Sequence, residues 1–216
     1  MLLKRYALLL FMLLFTSGLW AQTMTDHLVA PVGVYKTIRL DNDIRVMLLL
    51  SDTNYVGKVA LVDSVVAEAN GFTPPVLYTL SYTLFHMDRR DEASFWFYTA
   101  QLRARYDVNR CADKTATAAL YNENFGPPIN QYAMRNLDTL ERIVQRVVAF
   151  VRANEEHYDE RWINLSGMDV MMASLGNSDT KKSLSLPKAK WPAIKAKTVD
   201  DYYNDFEEYV MQAKKK

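Results

Sequence analysis

Residues 73–107, TPPVLYTLSYTLFHMDRRDEASFWFYTAQLRARYD, hold the densest aromatic and aliphatic patterning in the chain. Val76, Leu77, Leu80, Leu84 and Met87 recur at spacings of three and four, which places them on one face of a helix. Thr73 is a candidate N-cap, and Pro74 suits a first helical turn, where its missing N–H has no partner to lose. Residues 86–90 read as a short charged turn without glycine. Asp91 is placed to cap a second helix, with Glu92 near the positive end of its dipole. That helix carries Ala93, Phe97, Ala100 and Ala104 along one stripe, and Phe95, Trp96, Tyr98 and Leu102 widen its apolar surface. A helix apolar over so much of its circumference packs between neighbours. It is expected to be the central helix of an all-α protein.

The pattern Ala93-x-x-Trp96-Phe97-x-x-Ala100, preceded by Leu80-x-x-x-Leu84, resembles the helix-pair unit of tetratricopeptide and SEL-type repeats. The resemblance implies that small residues at 93 and 100 let two helices approach closely, with Phe97 filling the groove between them. Ser81 stands where those units usually have glycine, and Arg105 where the tetratricopeptide pattern has proline. No second copy occurs at the repeat period, and a solenoid needs roughly three stacked units to bury a continuous core. The expectation is a single compact helical domain with one tetratricopeptide-like hairpin at its centre, not an extended solenoid. The same segment is similar to one in small exported bacterial proteins of unassigned activity, a likeness that implies no mechanism.

Working outward, residues 43–50 read as a short helix, and residues 55–69 place Tyr55, Val59, Val62, Val65, Val66 and Ala69 at helical spacing. Asn70-Gly71 suits a left-handed C-terminal cap for that helix. Residues 29–40 read as irregular or helical, because a lone strand has no ladder partner. Downstream, residues 114–125 are expected to be helical and to end at Gly126-Pro127-Pro128. Residues 137–151 carry the clearest isolated stripe, with Leu140, Ile143, Val144, Val147, Val148 and Val151 on one face. Residues 154–162, NEEHYDERW, read as a solvated helix end with an aromatic tether. Residues 178–197 read as a linker by composition. Residues 198–216 form an amphipathic helix whose face of Val199, Tyr202, Tyr203, Phe206, Tyr209 and Val210 is expected to pack on the domain. The domain proper spans residues 22–177.

The N-terminus shows the plan of a signal peptide over residues 1–21: Lys4 and Arg5, the apolar run 7–15, and Leu19-Trp20-Ala21 before Gln22. Nine unbroken apolar residues are too few to cross a bilayer, which needs about 20. No stable membrane span is expected after signal removal, and the destination is the bacterial periplasm or the medium. No cysteine follows the apolar run to accept a lipid. The whole chain carries 26 basic and 25 acidic residues, a formal charge of +1. So balanced a chain lacks the clustered positive charge that nucleic-acid binding requires. A hydrophobic content of 50% excludes wholesale disorder. Cys111 is the only cysteine, so no internal disulfide forms and packing must supply stability.

No catalytic, cofactor or metal signature occurs. The histidines are His27, His86 and His157, and GxSxG, HExxH, P-loop and dinucleotide patterns are all missing. Glu155, Glu156, His157, Asp159 and Glu160 lack the spacing and the second histidine or cysteine of a metal site. Arg103, Arg105 and Arg110 are candidate contacts for a ligand or partner, because guanidinium forks suit carboxylates and phosphates. Their alternative is pairing with Asp88, Asp91, Asp107 or Asp113. Trp96 and Tyr98, with Phe95, are candidates to line a groove or to pack in the core. Asn164-Leu165-Ser166 is a glycosylation sequon. These features point to an exported, non-catalytic helical interaction module of the cell envelope (an adaptor, inhibitor or immunity-type protein) with a protein partner and no cofactor. The alternative is an envelope hydrolase with a dispersed carboxylate site, marked by two carboxylates about 5–9 Å apart in one concave pocket.

Overall fold

In the computed structural model, residues 31–176 and 183–215 are described. The expected signal segment 1–21 lies outside them. Among the described residues the chain folds as one all-α domain of eight α-helices. These are α1 (Asp41–Ser51), α2 (Lys58–Ala67), α3 (Pro74–His86), α4 (Arg90–Arg110), α5 (Ala119–Ala133), α6 (Leu137–Ala153), α7 (Met168–Ser174) and α8 (Trp191–Ala213). Short 3-10 turns occupy Gly33–Thr37, Ala69–Gly71, Glu160–Ser166 and Lys188–Lys190.

The quoted stretch is the hairpin α3–α4, and α4 is the hub: α3, α5, α6 and α8 all pack on it. Ala93, Phe97 and Ala100 are fully buried, and small side chains at 93 and 100 let neighbouring helices close on α4. The turn that joins the hairpin contains no glycine. Asp88 takes the left-handed conformation instead, with φ of 63°. The Arg89 N–H donates to Leu84 O at 3.0 Å and the Asp88 N–H to Phe85 O at 3.2 Å, which closes the end of α3 in a Schellman motif. Helix α4 begins at Arg90, and Asp91 lies inside its first turn rather than capping it. Thr73 sits at the N-cap of α3, but its hydroxyl turns away from the helix to donate to the Asp43 carboxylate on α1.

Helix α6 presents all six residues of its predicted stripe to the core, and Asn136 caps it by accepting the Thr139 N–H at 3.0 Å. Two predicted ends are corrected. Helix α5 does not stop at Gly126-Pro127-Pro128 but runs through it to Ala133. Gly126 lies against Phe97, where an added Cβ would stand 3.1 Å from the ring, so this glycine serves close helix contact rather than termination. At the end of α2, Gly71 is not left-handed. The Glu68 N–H caps the helix by donating to Ser64 O, and the chain runs on into the 3-10 turn Ala69–Gly71, where the buried Arg103 guanidinium reaches across from α4 to the Ala69 carbonyl at 2.9 Å.

The expected linker 178–197 is also corrected over its described part. Residues 183–187 run extended against the end of α4, where the Ala112 N–H donates to Leu184 O at 3.1 Å and the Leu186 N–H to Arg110 O at 2.8 Å. Helix α8 begins at Trp191, with Pro192 in its first turn, seven residues before the predicted start. Proline at that place costs no hydrogen bond, so it marks a beginning and not a break. Val199, Tyr202 and Val210 of α8 are buried against α4 and α6, while Tyr209 is 45% exposed. A second, smaller cluster joins Tyr35, Leu165, Val170, Ala173 and Leu184, with Val32, Val34 and Ile38 packed on it.

Candidate functional site

Along one face of α4, Arg103, Asp107 and Arg110 follow one another at steps of four and three, and all are buried. The segment 154–162 folds over this face. Among its residues, Glu155 and His157 stay exposed while Glu156, Tyr158 and Trp162 turn inward, so it is a cover and not the solvated end that its composition suggests. The head of α8 closes the remaining side with Trp191 and Lys195.

Asp107 is wholly enclosed. Its Oδ1 accepts from Arg110 Nε at 3.0 Å and Nη2 at 2.6 Å, and its Oδ2 accepts from Trp162 Nε1 at 2.7 Å and the Tyr158 hydroxyl at 3.0 Å. Burial pushes the carboxyl up to about 6, with Arg110 and the neutral donors pulling the other way. Burial works against the Arg110 charge too, but Asp107 beside it prevails and holds the guanidinium above its ordinary value. Arg110 also lies 4.2 Å from the Tyr106 ring centre and 4.6 Å from that of Trp191, stacked between two aromatic faces. Tyr158 is held well above the usual phenol range by burial and by the adjacent Asp107 and Glu156 charges.

Arg103 donates from Nη1 to Ala69 O at 2.9 Å and from Nη2 to Asn70 Oδ1, and it packs over Phe150 at 5.2 Å. Glu156 approaches its Nε at 3.8 Å and meets Lys195 Nζ at 3.0 Å. Lys195 also donates to Asn154 O at 2.7 Å, which ties α8 to the end of α6.

The candidate residues thus part company. Arg103 and Arg110 belong to one cluster, whereas Arg105 lies on the surface and pairs with Asp205 of α8 at 2.9 Å. Trp96 and Tyr98 are both buried and do not share a groove. Trp96 packs edge-on against Phe95 and Phe150, while Tyr98 packs on Phe97 and donates to Asn130 Oδ1 at 2.9 Å. Sequence reading missed Glu156, Tyr158, Trp162 and Lys195. The one local signal was Asp107, spaced to sit between two arginines on the same helical face. Cys111 is buried, and burial pushes its thiol up to about 11, away from the thiolate that nucleophilic chemistry needs. Asn164 of the sequon is also buried, donating to Arg161 O at 3.1 Å and accepting from Cys111 Sγ at 3.3 Å.

Open grooves occur on the described surface, two of them at the ends of the helical bundle. One, of about 510 Å³, lies at the α3–α4 turn and is lined by Asp88–Glu92 side chains and Tyr132. The other, of about 640 Å³, runs between residues 183–188, Arg161 and Trp191. The inward carboxylates Asp107 and Glu156 line neither.

A different kind of surface occurs on α7 and its C-cap, Leu175. Met168, Met171, Met172 and Leu175 follow at steps of three, one and three, and are 42–75% exposed. Val170 and Ala173 on the other side of the same helix are buried in the small cluster. The start of α7 is held by Asp113, whose Oδ2 accepts the Asp169 N–H at 3.0 Å, and an added Cβ on Gly167 would stand 2.0 Å from that oxygen. Among the described residues, no helix is long and apolar enough to cross a membrane.

Compared with known proteins, the chain matches no family profile, no curated protein and no solved structure.

Proposed function

We propose that the chain is an exported, non-catalytic helical interaction module of the cell envelope, of the adaptor, inhibitor or immunity type, acting on a protein partner. The observation that carries the reading is the α7 stripe: three exposed methionines on a short helix, continued by Leu175 at its C-cap, with the opposite side of the helix already packed. Contiguous exposed apolar surface is characteristic of interaction sites. Methionine is flexible and polarisable and adapts to partners of varied shape. Four side chains offer less than the roughly 800 Å² per partner of a standard stable interface, so α7 serves as an anchor within a larger contact. The likeness of the α3–α4 hairpin to tetratricopeptide units belongs to the same reading, as a rigid frame that displays such a surface.

The test compares the wild-type chain with Met171→Glu/Met172→Glu in co-purification from the native envelope. One partner held by the wild type and lost by the variant, at unchanged melting temperature, is the expected result. The same partner held equally by both chains would remove α7 from the reading, and hydrolysis of envelope polymers by the purified chain would replace it.

A further inference from the structure

Beneath the cover of α4 the charges do not balance. Arg103, Arg110 and Lys195 bring three positive groups, and Asp107 and Glu156 two negative ones. Asp107 is fully engaged, as described. Glu156 is not. Lys195 Nζ lies 3.0 Å from its Oε1 and 3.1 Å from its Oε2, but only the second contact has hydrogen-bonding geometry. Its Oε1 and the Arg103 Nε face each other, both buried and both without a hydrogen bond. Buried polar atoms in native proteins nearly always find partners. An arginine–carboxylate bond is normally about 2.7–2.9 Å long, so at 3.8 Å Glu156 stands almost an ångström too far.

The misfit has a cause in the backbone. The Arg103 side chain is fixed by Ala69 O and Asn70 Oδ1. Lys195 is fixed by Asn154 O. These groups form a rigid frame. Glu156 hangs from the short connection between α6 and the turn at Glu160–Ser166, and its neighbours are pinned elsewhere: the His157 N–H on Asn70 O at 2.7 Å, the Tyr158 hydroxyl on Asp107. The frame fits a carboxylate better than the tether lets Glu156 reach it.

We propose that Arg103 and Lys195 form a carboxylate-binding seat, and that Glu156 occupies it as a tethered stand-in. The incoming group is the carboxylate of a protein partner, either an acidic side chain or a chain terminus, which enters as residues 155–159 swing outward while Asn154, the C-cap of α6, stays in place and keeps its hold on Lys195. The partner as the source of that group rests on the interaction reading above; the seat itself does not.

Glu156→Ala in the full chain vacates the seat. Its melting temperature is expected to rise saturably with formate or acetate and to stay flat in chloride at equal ionic strength. The double variant Glu156→Ala/Arg103→Leu is expected to respond to neither anion. If Glu156→Ala is recovered unfolded, folding restored by formate and not by chloride is the same result. Equal responses to both salts, or none to either, overturn the seat. Displacement is read in the wild-type chain with triglutamate as the probe: faster hydrogen exchange at the His157 and Tyr158 amides, with α6 unchanged, supports it. Unchanged exchange overturns it. Neither failure alters α7-dependent co-purification, so the two readings fall separately.

Discussion

Asp107 decides how the buried face of α4 answers to pH. Its carboxyl sits at about 6 in the folded chain against 3.8 for an ordinary aspartate, because burial disfavours its charge. A group whose pKa is raised on folding binds its proton more tightly in the folded state. The stability it gains by taking up its proton is therefore full below about 3.8 and lost as pH rises through about 6, while its bonds to Arg110, Tyr158 and Trp162 at neutral pH are a separate contribution. Asp138 and Asp159 act in the opposite sense: Lys214 lowers the pKa of Asp138, and at Asp159 burial pushes upward but the bonds from Arg161 and the Arg39 N–H prevail and lower it. The clean measurement is a difference: urea unfolding of the wild type and of Asp107→Asn from pH 7 to 4. The wild type is expected to gain stability relative to the variant on acidification, and a difference that is flat with pH would refute the shift. At pH 7, Asp107→Ala strands the Arg110 charge in the interior. Breaking a buried pair in this way costs about 3–5 kcal/mol, visible as a lower urea midpoint, whereas surface Arg105→Ala is expected to cost under about 1 kcal/mol.

Elements end where side chains and turns let them, and two substitutions test this directly. Asp88 holds a left-handed conformation, which costs an ordinary residue roughly 1–2 kcal/mol. Asp88→Gly relieves that strain and gives up only an exposed contact with Arg90 at 2.9 Å. Glycine's extra chain entropy, about 0.5–1 kcal/mol, offsets part of the relief, so a small rise in melting temperature is expected. Gly167→Ala drives a methyl group into the Asp113 carboxylate that starts α7. Destabilisation of about 1–3 kcal/mol is expected, with faster hydrogen exchange at Asp169 and Val170. The helices with strong periodicity were legible in sequence: α3, α4 and α6 all present their predicted faces inward. Their ends were less so. Proline and glycine read as terminators at 126–128, yet Gly126 is there for the Phe97 ring, a neighbour 29 positions away. Asn70-Gly71 read as a self-contained left-handed cap, yet the chain there forms a 3-10 turn that Arg103 holds from α4. Long-range partners override local propensity wherever a side chain can replace a turn, and the same holds for the site. Asp107 between two arginines was visible as spacing on one helix. Glu156 and Lys195 reach the cluster only through the fold.

Across the molecule, α8 closes two assemblies at once. Its body packs on α4 and α6 through Val199, Tyr202 and Val210, and its head seals the charged cluster through Trp191 and Lys195. A chain stopped after Lys197 keeps the seal and loses the packing. Full burial of large apolar side chains is worth about 1.5–3 kcal/mol each, so a sharp fall in melting temperature with dye-binding apolar surface is expected. An unchanged melting temperature would show that α8 is not part of the core. The buried sequon carries one more consequence, for production of the protein. A secretory eukaryotic host attaches glycans to a nascent chain before it folds, when Asn164 is still accessible. A sugar tree on a side chain that must become 1% exposed would bar the third 3-10 turn from its place beneath Cys111 and α4. Glycosylated product from such a host is expected to be misfolded. Ser166→Ala, which erases the acceptor signal for the loss of its bonds to Ile163 O and the Thr117 N–H, should restore folded yield.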